Sequence, residues 1–593
     1  MYDGNTAGEP EFRGSVVNLQ PDTDYQAYVF ILEGETVVDE GGVSFNTWQS
    51  SPNIGQYLTV AELYTGGRLD LTGISGTPDS WVKITGTGTN DIDAGYALDE
   101  AIYLLNNQYL ILENIQVAGG RRYGIHLERC HEVRVLNCDV SGWARTPGYV
   151  SSGISYEDYA AYQAGTAINM DGGIFLDESS RLSVERCYLH DPRLSANSWA
   201  YGHPNGPEGI VVNANSLSGN HVVRYNDIIG SDVVRWNDGI EGYNNSSVNG
   251  SFARDSDIYG NMICYGQDDV IELDGGQENV RFFGNKGQDF LCGISVAPNR
   301  KGPSYLFRNA IVDLGDSRDI KGCAVKQGGG SDYTRGFTYM FNNTFHTWGY
   351  GGIAGVGFGS QNENNERKRF FAVTRNNIVY CRSSSADAIS DFLQLTTNSF
   401  DFDNLTTGTD PVASVIYSAG QEANGLLSSP PAFVDMTSPD YYDDLRLAVG
   451  SSAIDTGEVL PNFAEIFAGS APDQGALEYG DSSLLPIRPI AVEAGRYRVY
   501  LDATAGGSST SETITLSTGS LGGSTAFSIE KNATTGWLNV SPSSGTLNNN
   551  STQDLSFTVN TSAVVNGTTR KAVVLVRLPD GMSLPLTIEA SIN

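Results

Sequence analysis

The chain of 593 residues is too long for one ordinary hydrophobic core, so several domains or a repeat architecture are expected. Its 69 glycines, with Asn, Ser, Tyr and Val abundant and no long Leu/Ala/Glu/Lys runs, point to strands and turns and to little helix. A formal charge of −33 argues against a nucleic-acid backbone or an anionic membrane as the main partner, because a polyanion would meet net repulsion.

Seven cysteines, Cys130, Cys138, Cys187, Cys264, Cys292, Cys323 and Cys381, are an odd number at wide spacing, with no Cys-x-x-Cys pair and no Cys/His ligand cluster. They read as small buried hydrophobes within strands. No apolar run has membrane length, so no membrane span is expected. No basic segment followed by an apolar stretch opens the chain, so a signal peptide is not visible in it.

In chain order, "VVNLQPDTDYQAYVFILEGETVVDEGGVSFNTW" shows alternating strands around Leu-x-Pro-x-Thr-x-Tyr and resembles the later strands of a fibronectin type III module. That resemblance makes Tyr25 a corner tyrosine whose hydroxyl ties a crossover to the backbone. Residues 1–48 are expected to be part of such a module, with a native secretion signal upstream of it.

From about Tyr57 to Gly480 the chain repeats itself. One phrase recurs as "VVRYNDII", "DIYGNMI", "RFFGNKG", "YLFRNAI", "YMFNNTF" and "AVTRNNI", with its Asn at Asn226, Asn261, Asn285, Asn309, Asn343 and Asn376, and with Cys138 and Cys187 at the equivalent place upstream. Steps of 24 to 35 residues, each holding two or three short strands, describe coils of a right-handed parallel β-helix, an all-β solenoid spanning residues 49–482. A column of Asn at one bend would let side-chain amides hydrogen-bond up the stack and satisfy turn backbone.

A second phrase precedes each Asn: "DGGIFLD", "EGIVVN", "DGIEGY", "DVIELD", "CGISVA", "CAVKQG" and "GIAGVG". In register, Ile174, Ile210, Ile240, Ile271, Ile294, Val325 and Ile353 stack inward, and the two-residue period turns Phe175, Val211, Glu241, Glu272, Ser295, Lys326 and Ala354 outward. The phrase opens on Asp171, Glu208, Asp238, Asp269, Cys292 and Cys323, so four successive coils place a carboxylate at one site. Carboxylates one coil apart lie about 5 Å from each other, too close for all to ionise freely, and at least one pKa should rise.

A raised carboxyl beside an ionised one is the pairing that glycosidic cleavage needs; one group protonates the leaving oxygen while the other activates water or attacks carbon. "WNDGIEG" followed by "GQDDVIEL" resembles the Asn-Thr-Asp and Gly/Gln-Asp-Asp segments of the polygalacturonase family, inverting hydrolases built on this fold. The resemblance implies acid and base roles for Asp238, Asp268 and Asp269, and matches Lys326 to the family's substrate-gripping Lys. Cys292 stands where the family has His, and Ala324 where it has Arg. The acid chemistry carries over from the resemblance; the galacturonate specificity does not.

An Asp opening a strand can instead cap a turn through the backbone, which is the plainer reading of Asp171 and Glu208. Asp238, Asp268, Asp269, Glu241 and Glu272 read as a functional cluster, because stacking so many like charges costs stability without compensation. Insertions at 142–170 and 192–207 bring Trp143, Tyr149, Tyr156, Tyr159, Tyr162, Trp199, Tyr201 and His203, and Arg235 and Trp236 precede Asp238. These predict an aromatic-walled cleft in which Lys326, Arg235, Trp236, Trp199, His203, Tyr243 and Arg300 hold substrate.

Residues 445–480, "LRLAVGSSAIDTG...APDQGALEYG", resemble the closing segment of secreted bacterial β-helix proteins and are expected to cover the last coil's edge. Beyond them, "GWLNVSPSSGTL...LSFTVNTSAVVNGTTRKAVVLV" resembles the BACON β-sandwich module appended to carbohydrate-active enzymes, giving a module over 485–593.

The expectation is a secreted or cell-surface bacterial glycoside hydrolase acting on a polysaccharide or oligosaccharide, a monomer that needs no cofactor. The enzymatic alternative is a polysaccharide lyase, with the same acids holding calcium and a base such as Lys286, Arg300, Lys301 or Lys326 acting beside a uronate carboxylate. The non-enzymatic alternative is a glycan-binding or adhesive β-helix.

Overall fold

The computed structural model describes residues 2–3, 11–12, 14–17, 19–315, 322–329, 333–347, 351–355, 365–381, 387–407, 420–427, 429–434, 445–480, 488–519 and 524–593. Among these, three parallel sheets of 12, 12 and 11 strands form the faces of the coils, and successive strands of each sheet come from successive coils. Their interior is one continuous apolar core from Val60 to Leu405.

The third sheet carries the strands that matter for function: β1 (Asp171–Asp177), β2 (Pro207–Asn213), β3 (Ile240–Gly242), β4 (Asp269–Glu272), β5 (Cys292–Val296), β6 (Cys323–Gln327) and β7 (Gly351–Gly355). Ile174, Ile210, Ile240, Ile271, Ile294, Val325 and Ile353 pair coil to coil in that order, and all are fully buried. The neighbouring outward column follows, with Val211 opposite Glu241, Glu272 opposite Ser295, Ser295 opposite Lys326 and Lys326 opposite Ala354. The strand period thus places side chains of consecutive coils on one outer face.

The Asn column forms a hydrogen-bonded ladder. Asn226, Asn261, Asn285, Asn309 and Asn343 each donate from the side-chain amide to the Oδ1 of the next Asn, and Cys187 N–H donates to Asn226 at 2.9 Å. The ladder continues through Asn377 to Asp403, so Asn377, not Asn376, holds the last Asn rung. Asn376 is the left-handed residue just before the rung, with φ 60°, a place taken in other coils by Tyr225, Gly260, Gly284, Arg308 and Asn342. An Asn at either position is locally sensible, which is why the doubled Asn misleads.

The described part of 445–480 lies along the flank of the coils instead of across their end. Leu445, Leu447, Ala453, Ala476 and Leu477 pack on Ala310, Val312 and Ile378, while Asn342 donates to Asp473 O and Gln474 to Phe402 O.

At the N-terminal side, Asp24–Glu33 and Thr36–Asn46 form a two-stranded antiparallel hairpin. Tyr25 Oη accepts the Gln20 N–H at 2.9 Å, the tie expected of a corner tyrosine. At the C-terminal side, a four-stranded and a five-stranded sheet enclose a core that includes Phe527, Trp537 and Phe557. This sandwich packs through Val573 and Leu575 on Tyr188, Ile229, Met262, Cys264 and Tyr265 of the coils. All seven cysteines are buried and free, as their reading as small hydrophobes anticipates.

Candidate functional site: a buried acidic groove

On the outer face of β2 to β6, seven carboxylates gather from three coils: Glu208, Asp238, Glu241, Asp268, Asp269, Glu272 and Asp274, each less than a tenth exposed. The local fold explains their positions. Glu208 accepts the Asp238 N–H at 2.7 Å and the Asn237 amide at 3.0 Å, and Asp238 Oδ1 accepts the Asp269 N–H at 2.7 Å. Each acid therefore caps the next coil's strand start, a structural use that still leaves further carboxylate oxygen facing its neighbours.

Lys326 reaches this group from two coils away, with Nζ 2.5 Å from Asp269 Oδ2. Glu272 accepts from the Asn245 amide at 2.5 Å, and Asp274 accepts from Ser295 Oγ at 2.7 Å and Ala297 N–H at 2.5 Å. Two buried oxygens, Asp268 Oδ2 and Asp269 Oδ1, have no hydrogen-bond partner.

Burial, and then the neighbouring carboxylates, hold Asp238 and Glu241 well above the usual carboxylate range. Burial also raises Asp269, against the opposing pull of Lys326. Burial together with Asp274 pushes Glu272 up to about 8, and burial pushes Asp274 up to about 7. For Lys326, burial favours the neutral amine, but Asp269, Asp268 and Asp274 more than offset it and hold the ammonium firmly charged.

The oxygens also meet the distance requirement for one shared cation. Ligand atoms of Asp238, Asp269 and Glu272 lie within 4.8 Å of one another, as do those of Glu208, Asp238 and Glu241. Calcium–oxygen bonds of about 2.4 Å put oxygens on opposite sides of the ion about 4.8 Å apart. Buried, oxygen-only and charge-rich, these donors fit calcium.

Of the residues expected to hold substrate, Trp199 and His203 reach the acids. The Trp199 indole N–H donates to Asp268 Oδ1 at 3.3 Å, and His203 Nε2 lies 3.6 Å from Asp268 Oδ2 with its ring against Trp199. Tyr243, two residues beyond Glu241, is partly exposed, and no described contact joins its side chain to the acids. Arg300 lies over the Tyr333 ring, 5.0 Å from its centre, and no described contact joins it to the acids.

Arg235 and Trp236 do not line the groove. Trp236 is fully buried in the coil interior and stacks on Trp143 at 5.7 Å, so neither indole can offer a face to a sugar. Arg235 turns to the opposite flank, where it donates to Gly266 O and pairs with Asp289, which Lys571 of the sandwich also grips. Asp171 is one residue out of the acidic column, because its register partner is Pro207 while Gly172 faces Glu208; Arg122 and Arg145 neutralise it. The insertion tyrosines Tyr149, Tyr156, Tyr159 and Tyr162 pack mainly on one another.

Glu208 caps the start of β3 as its reading from sequence anticipates, and it also joins the acidic group; Asp274 and Asn245 were passed over. Asp274 stands in the same short stretch, Gln267 to Gly276, as Asp268, Asp269 and Glu272, two residues beyond Glu272 and so on the same face of an extended chain.

Residues 100–286 match the family profile described as "Right handed beta helix region", and residues 502–587 match the "Viral BACON domain". No curated protein matches the chain. Among solved structures, pectate lyase Pel9A aligns at TM-score 0.37 and 14% identity over 72% of this chain and 87% of its own. A mannuronic acid specific polysaccharide family 6 lyase from human gut microbiota aligns at TM-score 0.37 and 12% identity over 61% and 89% of the two chains. An alginate lyase from Paenibacillus sp. aligns at TM-score 0.33 and 10% identity over 50% and 95%. The chain is thus a right-handed parallel β-helix protein with a BACON-type sandwich at its C-terminal side.

Proposed function

We propose that the protein is a secreted polysaccharide-degrading enzyme, and that it cleaves a uronic-acid polysaccharide by calcium-assisted β-elimination with Lys326 as the base. The observation that carries this reading is the juxtaposition of Lys326 Nζ, 2.5 Å from Asp269, with carboxylates whose oxygens converge within 4.8 Å. So many buried acids need a counter-charge, and one lysine does not supply it. A bound calcium ion would offset their charge and that of a uronate, making the proton beside the substrate carboxylate easier to remove.

Lys326, with a fifth of its side chain exposed, would take that proton after a bound cation has offset the charge of Asp269, Asp268 and Asp274, the groups that otherwise hold it as an ammonium. The electron pair left on carbon forms a double bond as the glycosidic bond breaks, and the leaving oxygen becomes a hydroxyl by taking a proton from solvent water or from the Lys326 ammonium just formed. Trp199 and His203 roof the acids at Asp268 and limit water there.

Hydrolysis is the second reading, favoured by one observation: Glu272, pushed up to about 8, is mostly protonated at neutral pH, and Asp274, pushed up to about 7, is about half protonated there. An inverting pair, however, needs about 6.5–9.5 Å between carboxylates. One oxygen each of Asp238, Asp269 and Glu272 lies within 4.8 Å of the others, nearer the separation of about 5–5.5 Å that a retaining pair uses.

Products separate the two. Digestion of uronate polysaccharides with calcium present should give new chain ends that absorb in the ultraviolet, because elimination leaves a double bond conjugated to the carboxylate; a chelator should stop it. New reducing ends without that absorbance would establish hydrolysis instead.

A further inference from the structure

Beside the hard-oxygen set lies a pair of thiols that the proposed reaction does not use. Cys292 opens β5 and Cys323 opens β6, each two residues before the paired Ile294 and Val325, so the two face each other across adjacent coils. The neighbouring Cys323 and burial hold the Cys292 thiol protonated. Both stand outside the coil interior, in a small cluster with Leu291 and Ala354 under the Trp199 ring.

This places sulfur against carboxylate. The Cys292 Sγ and the nearest oxygens of Asp268 and Asp269 lie within 4.8 Å of one another. Asp268 and Asp269 are 2% and 0% exposed, and they are the residues whose Oδ2 and Oδ1 lack any hydrogen-bond partner. Cys138 and Cys187 also stand on adjacent coils, but inside them, where the thiols donate to Leu136 O and Glu185 O within an apolar core. The pair at Cys292 and Cys323 differs by its two unsatisfied carboxylate oxygens and by the His203 ring over Asp268.

We propose that Cys292, Cys323, Asp268 and Asp269 form a second metal site, specific for a thiophilic divalent ion of the zinc type and distinct in donor chemistry from the all-oxygen calcium set. One sulfur and two carboxylate oxygens within 4.8 Å of one another, with Cys323 beside Cys292 on the next coil as the fourth donor, make the mixed sulfur–oxygen set that zinc takes and calcium does not. Binding releases one proton from each thiol to solvent and changes no oxidation state. Because Asp269 belongs to both sets, the two ions compete.

Cobalt(II) reports on this directly, since thiolate ligation gives a charge-transfer absorption that carboxylate ligation does not. The reduced full-length protein titrated with cobalt should develop the band to one equivalent, and zinc should abolish it. The band should vanish in Cys292→Ser and Cys323→Ser and persist in Cys138→Ser. Asp268→Asn should weaken zinc binding by about tenfold or more. No thiolate band in the wild type, which needs no variant to fold, would overturn the site; so would a band of full intensity in the Cys292→Ser/Cys323→Ser double variant. None of these readouts depends on substrate cleavage, so the thiol site and the proposed reaction stand or fall separately.

Discussion

Replacing Lys326 with Met is expected to lower kcat on a cleaved uronate polysaccharide by about 10³-fold, the scale of losing a positioned general base. Calcium affinity should rise, not fall. The Lys326 ammonium sits 2.5 Å from Asp269 Oδ2 and competes with a cation for that carboxylate, so its removal leaves the acidic set more negative. Lys326→Arg separates charge from basicity: the guanidinium keeps the pairing with Asp269 but cannot accept a proton near neutral pH. Activity should be lost in both variants. Steady-state kinetics with parallel calcium titration checks this. A Lys326→Arg enzyme with near-normal kcat would assign the residue to structure alone.

The second large effect concerns stability. Arg488 is fully buried between the coils and the sandwich, where it donates to Asp227 at 2.8 Å, to Gly260 O, to Asn226 O and to Ser583 O and Oγ. Arg488→Met should destabilise the protein by about 3–5 kcal/mol, because Asp227 would remain buried without its counter-charge. The loss should fall on the docking of the two modules. Thermal unfolding should split into two transitions, and proteolysis should release a fragment ending near the start of the sandwich. A single transition displaced by less than about 2 °C would show that the apolar contact of Val573 and Leu575 with the coils suffices without it.

The solenoid was legible because its signals are local and repeated. A two-residue period, read across seven phrases, is enough to place Ile240 and Ile271 inward and Glu241 and Glu272 outward, and the pairing of the coils agrees. What failed depended on contacts that no period encodes. Asp171 slips by one because the doubled glycine after it adds a residue before Ile174.

Trp143 and Trp236 looked like cleft walls, yet both turn inward and stack beside glycine backbone; a Cβ on Gly173 would meet the Trp143 ring at 3.0 Å. Arg235 was read by its closeness in sequence to Asp238. Its counter-ion Asp289 is shared with Lys571, hundreds of residues away, and such a partner can be found only in three dimensions. The thiol pair was set aside for a related reason, since Cys292 and Cys323 have no motif spacing and meet only through coil stacking.

The central claim is that acids from consecutive coils share one cation. Calcium titration of the full-length protein by calorimetry, repeated on Asp238→Asn and Glu272→Gln, tests it most directly. Wild type should bind one ion in the acidic groove, and each variant should bind it about tenfold to a hundredfold more weakly with the fold intact by circular dichroism. Unchanged affinity in both variants, or no calcium binding by the wild type, would contradict the account.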